Sequence, residues 1–256
     1  NIHRTVTNGR NFECYSEDPL LTGALAVAYI KGMQAKGISA TIKHFAGNES
    51  EIKRTTNSSE IDERSLREIY LVPFEMAVKE AGTWAIMSSY NKINGTYAAE
   101  NHWLLTQVLR VEWGYDGIVM SDWFGSRTTA PTLNAGLNLE MPGPARDRGD
   151  KLVDAVQAGD VSAQTVRSLA LDMLRLMQRT GSLDDHRSHN EMAEDRPEHR
   201  ALIRRAGAEG SVLLKNSGLL PLGKSAGQSI AVIGPNAKVA QIMGGGSAQL
   251  NPHYRV

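Results

Sequence analysis

Apolar positions recur along this chain with two periods that alternate. Thr22–Ala35 carries them at helical spacing and stops before Gly37, which predicts a helix. Ala40–Phe45 then reads as a short strand that opens into a Gly/Asn loop. The next helix runs through "IDERSLREIYLVPFEMAVKEAG", with Leu66, Ile69, Tyr70, Phe74, Ala77 and Val78 as its apolar stripe. Pro73 should kink or divide it, and Gly82 should close it. "TWAIMSSYN" predicts a second strand and Trp103–Trp113 a helix with Leu104, Val108, Leu109 and Val111 inward. "GIVMSD" predicts a third strand, and Gly136–Met141 a shorter apolar segment before a Pro/Gly break.

Strands alternating with helices at this pace imply βαβ units and a parallel sheet. The three strands end in polar residues: Lys43 and His44, then Ser88 through Asn91, then Ser121 and Asp122. In barrels and open sheets of this class, ligands bind at the carboxyl ends of strands. After Pro144 the pattern changes. Asp150–Ala158 and Ser162–Gln178 read as amphipathic helices, "TGSLDDHRSHNEMAEDRPEHR" as a polar linker and Ala201–Glu209 as another helix. "SVLLKNSGLLPL" reads as a strand and turn, and "SIAVIGPNA" as a strand. The pattern divides the chain into 1–144, parallel βα units of a barrel or an open sheet; 145–200, a helical segment and linker; and 201–256, the opening of a second α/β domain.

Composition narrows the function classes. The 256 residues hold 28 Lys+Arg against 28 Asp+Glu, so no basic excess points to nucleic acid and no net charge to an anionic membrane. No run of eighteen apolar residues marks a helical membrane span. The one cysteine, Cys14, excludes an internal disulfide framework. No nucleotide-binding glycine motif and no Cys/His cluster suggests a cofactor or a metal. Asn48, Asn57 and Asn94 start N-x-S/T triplets, which occur often by chance. The compartment stays open among secreted, periplasmic and cytoplasmic, and a homo-oligomer stays open too. The chain starts at "NIHRTVTNGRNFE" without a methionine and stops at "NPHYRV"; a fragment, or one polypeptide of a larger molecule, is expected.

Asp122 is the leading candidate for chemistry, because an aspartate is rarely placed against a buried strand without a partner. By pattern alone it is a nucleophile, a base, a metal ligand or a loop cap. Lys43 and His44 are adjacent, so a strand aims them to opposite faces, and either can bind ligand or brace the loop. Arg10 and Arg54 offer forked donors in polar surroundings, or simply lie solvated. Trp123 can stack on the apolar face of a sugar ring. A sugar suits this mixture, and cleaving a glycosidic bond requires two carboxyl groups in different protonation states. An unrelated α/β enzyme using Asp122 and His44 on a phosphate or carbonyl substrate is the rival reading.

Five blocks in order, "GRNFECYSEDP", "IKHFAGNESE", "IMSSYNKINGTYAAEN", "GYDGIVMSDWFG" and "AGLNLEMPGP", resemble the signature of glycoside hydrolase family 3, in its β-glucosidase branch. "SVLLKNSGLLPL" and "IAVIGPNA" extend the likeness. The resemblance implies a partial (β/α)8-type barrel followed by the start of an α/β sandwich. It implies a retaining, exo-acting β-glucosidase without cofactor or metal, acting on β-glucosides, cello-oligosaccharides or aryl glycosides. By the same resemblance Asp122 matches the nucleophile, and Arg10, Lys43, His44, Arg54, Met87, Tyr90 and Trp123 match substrate-binding positions. The acid/base glutamate is expected outside this chain, so the remainder of the protein or a second chain should complete barrel and sandwich. "KHFAGNE" lacks the second histidine of the family's N-acetylglucosaminidase branch. A β-xylosidase, a bifunctional β-glycosidase and a non-catalytic sugar-binding relative remain the alternatives.

Overall fold

The computed structural model describes residues 1–185, 193–223 and 229–242. The chain divides into two units, Asn1–Arg187 and Ser188–Val256.

In the first unit, α1 (Pro19–Gln34) starts earlier than its apolar spacing indicates, because Asp18 caps it. The Asp18 carboxylate accepts from the Leu20 and Leu21 amides at 2.8 and 3.3 Å, and Pro19 stands where a missing N–H costs nothing. Strand β1 (Thr41–Phe45) follows, then the two-residue β2 (Ser58–Ser59) and one turn of α2 (Glu63–Ser65). The long helix expected next is divided, as Pro73 requires. Leu66–Tyr70 is wound as a π-helix, closed by the Leu71 amide donating to the Leu66 carbonyl at 2.9 Å, and α3 (Val72–Lys79) continues with Pro73 in its first turn. Trp103–Glu112 is also π-wound. The wider turn shifts the inward stripe: Ile69 and Val111, expected inside, are exposed, while Leu105 is fully buried.

Strands β1, β3 (Ala85–Ser88) and β6 (Ile118–Ser121) form a parallel sheet with β3 in the middle. Phe45 pairs with Ser88, and Ser88 with Ser121, so the three strands end level with one another. This is part of a (β/α)-type barrel wall. Its core packs Phe45, Ile86 and Val119 against Leu66, Phe74, Leu104, Leu105, Val108, Leu109 and Trp113. The Phe45 and Phe74 rings meet edge to face at 4.9 Å. Each such side chain contributes roughly 1.5–3 kcal/mol through burial. Gly117 precedes β6 because a Cβ there would sit 2.5 Å from the Trp84 carbonyl oxygen.

A second small sheet joins β2 to β4 (Lys92–Ile93), which turns back as β5 (Thr96–Tyr97). Asn94 and Gly95 make that turn with φ of 49° and 87°, the left-handed pair that a two-residue hairpin needs. The segment Gly136–Met141 is not a strand; Leu139 makes one parallel bridge to Met120. Helix α4 (Ala130–Ala135) precedes it, and α5 (Asp150–Gln157) and α6 (Ala163–Arg179) complete the unit. Asp172 of α6 joins Arg110 at 3.2 Å and Asn138 at 3.1 Å, and Asn138 accepts from the Val119 amide of β6 at 2.8 Å.

In the second unit α7 (Pro197–Glu209) forms around the expected Ala201–Glu209. The strands expected in "SVLLKNSGLLPL" and "SIAVIGPNA" are absent among the described residues, and Leu214 and Ile233 are more than 90% exposed. A strand is held by a hydrogen-bonding neighbour, and among the described residues none pairs with these segments. Among the described residues no helix is long and apolar enough to cross a membrane.

Candidate active site

The level strand ends gather the chemistry. Asp122 directly follows β6 and is 5% exposed. Its Oδ1 accepts from the Trp123 amide at 2.7 Å. Its Oδ2 is buried without a hydrogen bond from any protein group and stands 3.4 Å from His44 Nε2, which is equally unbonded. The other side of that ring is fixed: His44 Nδ1 and the His44 amide both meet the Asn1 side-chain oxygen, at 2.7 and 3.1 Å. An accepting amide oxygen places the ring proton on Nδ1, so Nε2 turns a lone pair toward the carboxylate.

The imidazole is held neutral. Burial, then the positive charges of Arg10, Lys43, the Asn1 amine and Arg54, lower its pKa from 6.5 to about 2. Carboxylate and ring nitrogen are therefore two buried acceptors side by side. Leaving such groups unpaired costs roughly 1–3 kcal/mol each. A ligand hydroxyl is the group that answers them, since it donates to one and stays neutral.

Tyr90 closes another side. It is buried, and its hydroxyl donates to the Trp123 carbonyl at 2.8 Å. Burial, then the Asp122 charge, push its pKa up to about 12, so it remains protonated. The Arg54 guanidinium lies 4.8 Å from the Tyr90 ring centroid. Trp123 is half exposed at the rim. Met87 is half-buried within β3, opposite Met120 of β6.

Two carboxylates that the sequence reading passed over organise the cations. Lys43 reaches Glu13 at 3.2 Å, and Glu13 also pairs with Arg10. Arg10 approaches Glu51 at 3.9 Å, and Glu51 binds Arg54 at 2.7 Å. The result is a continuous chain, Lys43–Glu13–Arg10–Glu51–Arg54, along one side of the site. Local spacing held a partial signal, since Arg10–Glu13 and Glu51–Arg54 are each three residues apart; the links to Lys43 and between the two pairs are tertiary. Among the described residues no group of three or more His, Cys, Asp or Glu side chains could hold a metal ion.

Residues 1–176 match the glycosyl hydrolase family 3 N terminal domain, and residues 211–256 match the family's C-terminal domain. The chain is 66% identical over its whole length to a beta-glucosidase of Rhizobium radiobacter, covering 31% of that protein. It is 51% identical to beta-glucosidase B of Emericella nidulans, covering 30% of it. It thus spans about a third of the length of the curated relatives it matches. Among solved structures, the beta-glucosidase of Kluyveromyces marxianus in complex with glucose superimposes with a TM-score of 0.92 at 40% identity, over 99% of this chain and 32% of that one. Beta-glucosidase 3B of Thermotoga neapolitana in complex with alpha-D-glucose gives 0.82 at 42% identity, over 87% and 32%. With a barrel-wall segment, an aspartate at the end of β6 and both family domains matched in order, the chain belongs to glycosyl hydrolase family 3.

Proposed function

We propose that this chain supplies the nucleophile-bearing side of the active site of a retaining, exo-acting β-glucosidase. The observation that carries the reading is the buried, unbonded Asp122 Oδ2 beside a neutral His44, ringed by Arg10, Lys43, Arg54 and Tyr90. The relatives named beta-glucosidase support the same reading. Substrates are β-glucosides, including cello-oligosaccharides and aryl glycosides.

Asp122 attacks the anomeric carbon while an acid protonates the departing glycosidic oxygen. A glycosyl ester forms on Asp122 with inverted configuration. Water, deprotonated by the same acid/base group, attacks the anomeric carbon of that ester, breaks its bond to the Asp122 oxygen, frees the carboxylate and restores the configuration. Asp122 and the acid/base carboxyl stand about 5–5.5 Å apart in this mechanism. Neutral His44 and the Arg/Lys chain hold hydroxyls of the terminal sugar, and Met87 and Trp123 line its surroundings. Those hydrogen bonds strengthen as the ring becomes oxocarbenium-like, which lowers the barrier rather than only tightening binding. No metal or cofactor enters.

The acid/base carboxyl is assigned to the part of the full protein that this chain does not span. Residues 1–144 are read as barrel, 145–200 as a helical segment and linker, and 201–256 as the opening of the sandwich domain. The test is a mechanism-based 2-fluoroglucoside applied to the full-length protein, followed by peptide mapping. The adduct is expected on Asp122, and Asp122→Asn should lower kcat/KM by at least ~10³-fold. An adduct elsewhere, or an active Asp122→Asn protein, overturns the assignment.

A further inference from the structure

The loop that carries Arg54 is tied down from a distant part of the chain. Lys53 has φ of +50°, and the Thr56 and Asn57 amides both donate to its carbonyl, at 2.8 and 2.9 Å. That turn satisfies the Lys53 carbonyl from within the loop, whereas the Thr55 carbonyl is answered from outside it. Arg127 Nη2 donates to Thr55 at 2.6 Å across 72 residues of chain, and the Tyr97 hydroxyl approaches the same oxygen at 3.4 Å. The Arg127 guanidinium also lies 4.6 Å from the Tyr97 ring centroid, with the Lys92 ammonium 4.9 Å from it. Thr128 donates to Glu100 at 2.9 Å and secures the neighbouring residue. The segment after β6, the β4–β5 hairpin and the Arg54 loop thus meet at one carbonyl.

Arg54 is not placed by its own loop. Its partner Glu51, at 2.7 Å, lies on that loop, as does Asn48, which donates to Glu51 at 2.8 Å. Such pairs travel with the loop. Among the described residues, hydrogen bonds join residues 51–57 to other elements at two carbonyls. Asn57 accepts from the Lys92 amide at 2.9 Å, and Thr55 accepts from Arg127 and Tyr97. Thr55 is the residue next to Arg54, and a hydrogen bond from a cation is about twice as strong as a neutral one. The Arg54 guanidinium then lies 4.8 Å from the ring centroid of Tyr90, whose hydroxyl donates to the Trp123 carbonyl beside Asp122. One segment, Asp122 to Arg127, therefore carries both the proposed nucleophile and the clasp on the Arg54 loop.

We infer that Arg127 is a positioning residue: by holding the Thr55 carbonyl it sets where the Arg54 guanidinium stands relative to Asp122, and so how firmly a sugar hydroxyl is held during glucosyl transfer. The inference rests on the glycosidase reading above, in which Arg54 binds that hydroxyl. Arg127 acts through Arg54 alone. A misplacement of about 1 Å in such a group costs on the order of 10²-fold in rate, and a slackened loop costs part of that.

The experiment is a double-mutant cycle on Arg127 and Arg54 in the full-length protein, read as kcat/KM for an aryl β-glucoside. Arg127→Ala should lower kcat/KM about tenfold. Arg127→Met, which keeps the stem and loses the donor, should do the same and serves if the alanine protein fails to fold. Arg127→Lys can still donate to Thr55 and lie on Tyr97, so it should stay within about threefold of wild type. In an Arg54→Ala background, Arg127→Ala should cost less than about twofold more. Unchanged kcat/KM in the alanine and methionine variants, a full loss in the lysine variant, or a loss that repeats undiminished without Arg54 overturns the inference and leaves the glycosidase reading standing. If Arg54→Ala itself costs nothing, the sugar-binding role of Arg54 falls and the inference falls with it. A wild-type protein that releases no glucose removes the glycosidase reading as well.

Discussion

Compare "GIVMS" in the first unit with "SIAVIG" in the second. Both are short, β-branched and apolar. In the first, Ile118 and Val119 are essentially fully buried, and β6 pairs with β3 residue by residue. In the second, Ile230, Val232 and Ile233 are all more than 70% exposed, and no strand forms among the described residues. The sequences differ little in strand propensity; what differs is the neighbour. β6 is laid beside β3 with Trp103–Glu112 covering it. Among the described residues the second segment has neither a paired edge nor a helix over it. A parallel strand depends on contacts distant in sequence, so an apolar run states what could be buried and not whether it is.

The largest break in this comparison comes from truncating apolar side chains in both units. Leu105→Ala should destabilise the first unit by about 2–5 kcal/mol, because its cavity lies in a packed core. Leu214→Ala should change stability by less than about 0.5 kcal/mol. Urea unfolding of the chain measures both, and equal effects would erase the distinction.

Charge pairs give the next contrast. Asp172→Ala removes the carboxylate that pairs with Arg110 and one of the two acceptors of the Asn138 amide, so a loss of about 2–3 kcal/mol is expected. Glu209→Ala breaks the exposed Arg205–Glu209 pair of α7 and should cost no more than about 0.5 kcal/mol.

A third difference is acid sensitivity. His44 is the buried histidine among the described residues. Its pKa is about 2 in the fold against 6.5 unperturbed, so below pH 6.5 the unfolded chain binds a proton that the folded chain refuses. Stability contributed by the neutral ring is complete above 6.5 and declines as pH falls toward 2, at up to about 1.4 kcal/mol per pH unit. His44→Gln should flatten the stability profile just below pH 6.5, and an unchanged profile would show that the ring takes up its proton equally in the folded and unfolded chain.

Helix caps give the smallest effect. Asp18→Ala should cost α1 about 1 kcal/mol. Arg196, the N-cap of α7, makes no side-chain cap hydrogen bond, so Arg196→Ser should stabilise the first turn by roughly 0.5 kcal/mol or more, read as helicity by circular dichroism.

Much of the site was legible along the chain. His44 lies near the end of β1, Asp122 and Tyr90 just past the ends of β6 and β3, and parallel register brings those ends level. The Asn94-Gly95 hairpin carried its own turn signal, yet the strand reading of "TWAIMSSYN" stopped at Asn91 and left it out. Ile69 and Val111 were misplaced because π winding alters which residues share a face, and local spacing does not announce it. The roles of Glu13 and Glu51 were hidden, because Lys43 lies thirty residues from Glu13 and only folding joins them.

The sequence by itself determined the alternation of strand and helix, the capped start of α1, the break near Pro73 and the polar ends of the three strands. It did so because those features depend on period, on local hydrogen bonding and on proline's missing N–H. Tertiary structure alone decided which apolar runs became strands, which carboxylates steer the cations, and that His44 meets Asp122 as a neutral ring. Each of those depends on groups far apart in the chain, and on burial and charge that exist only once the chain is folded.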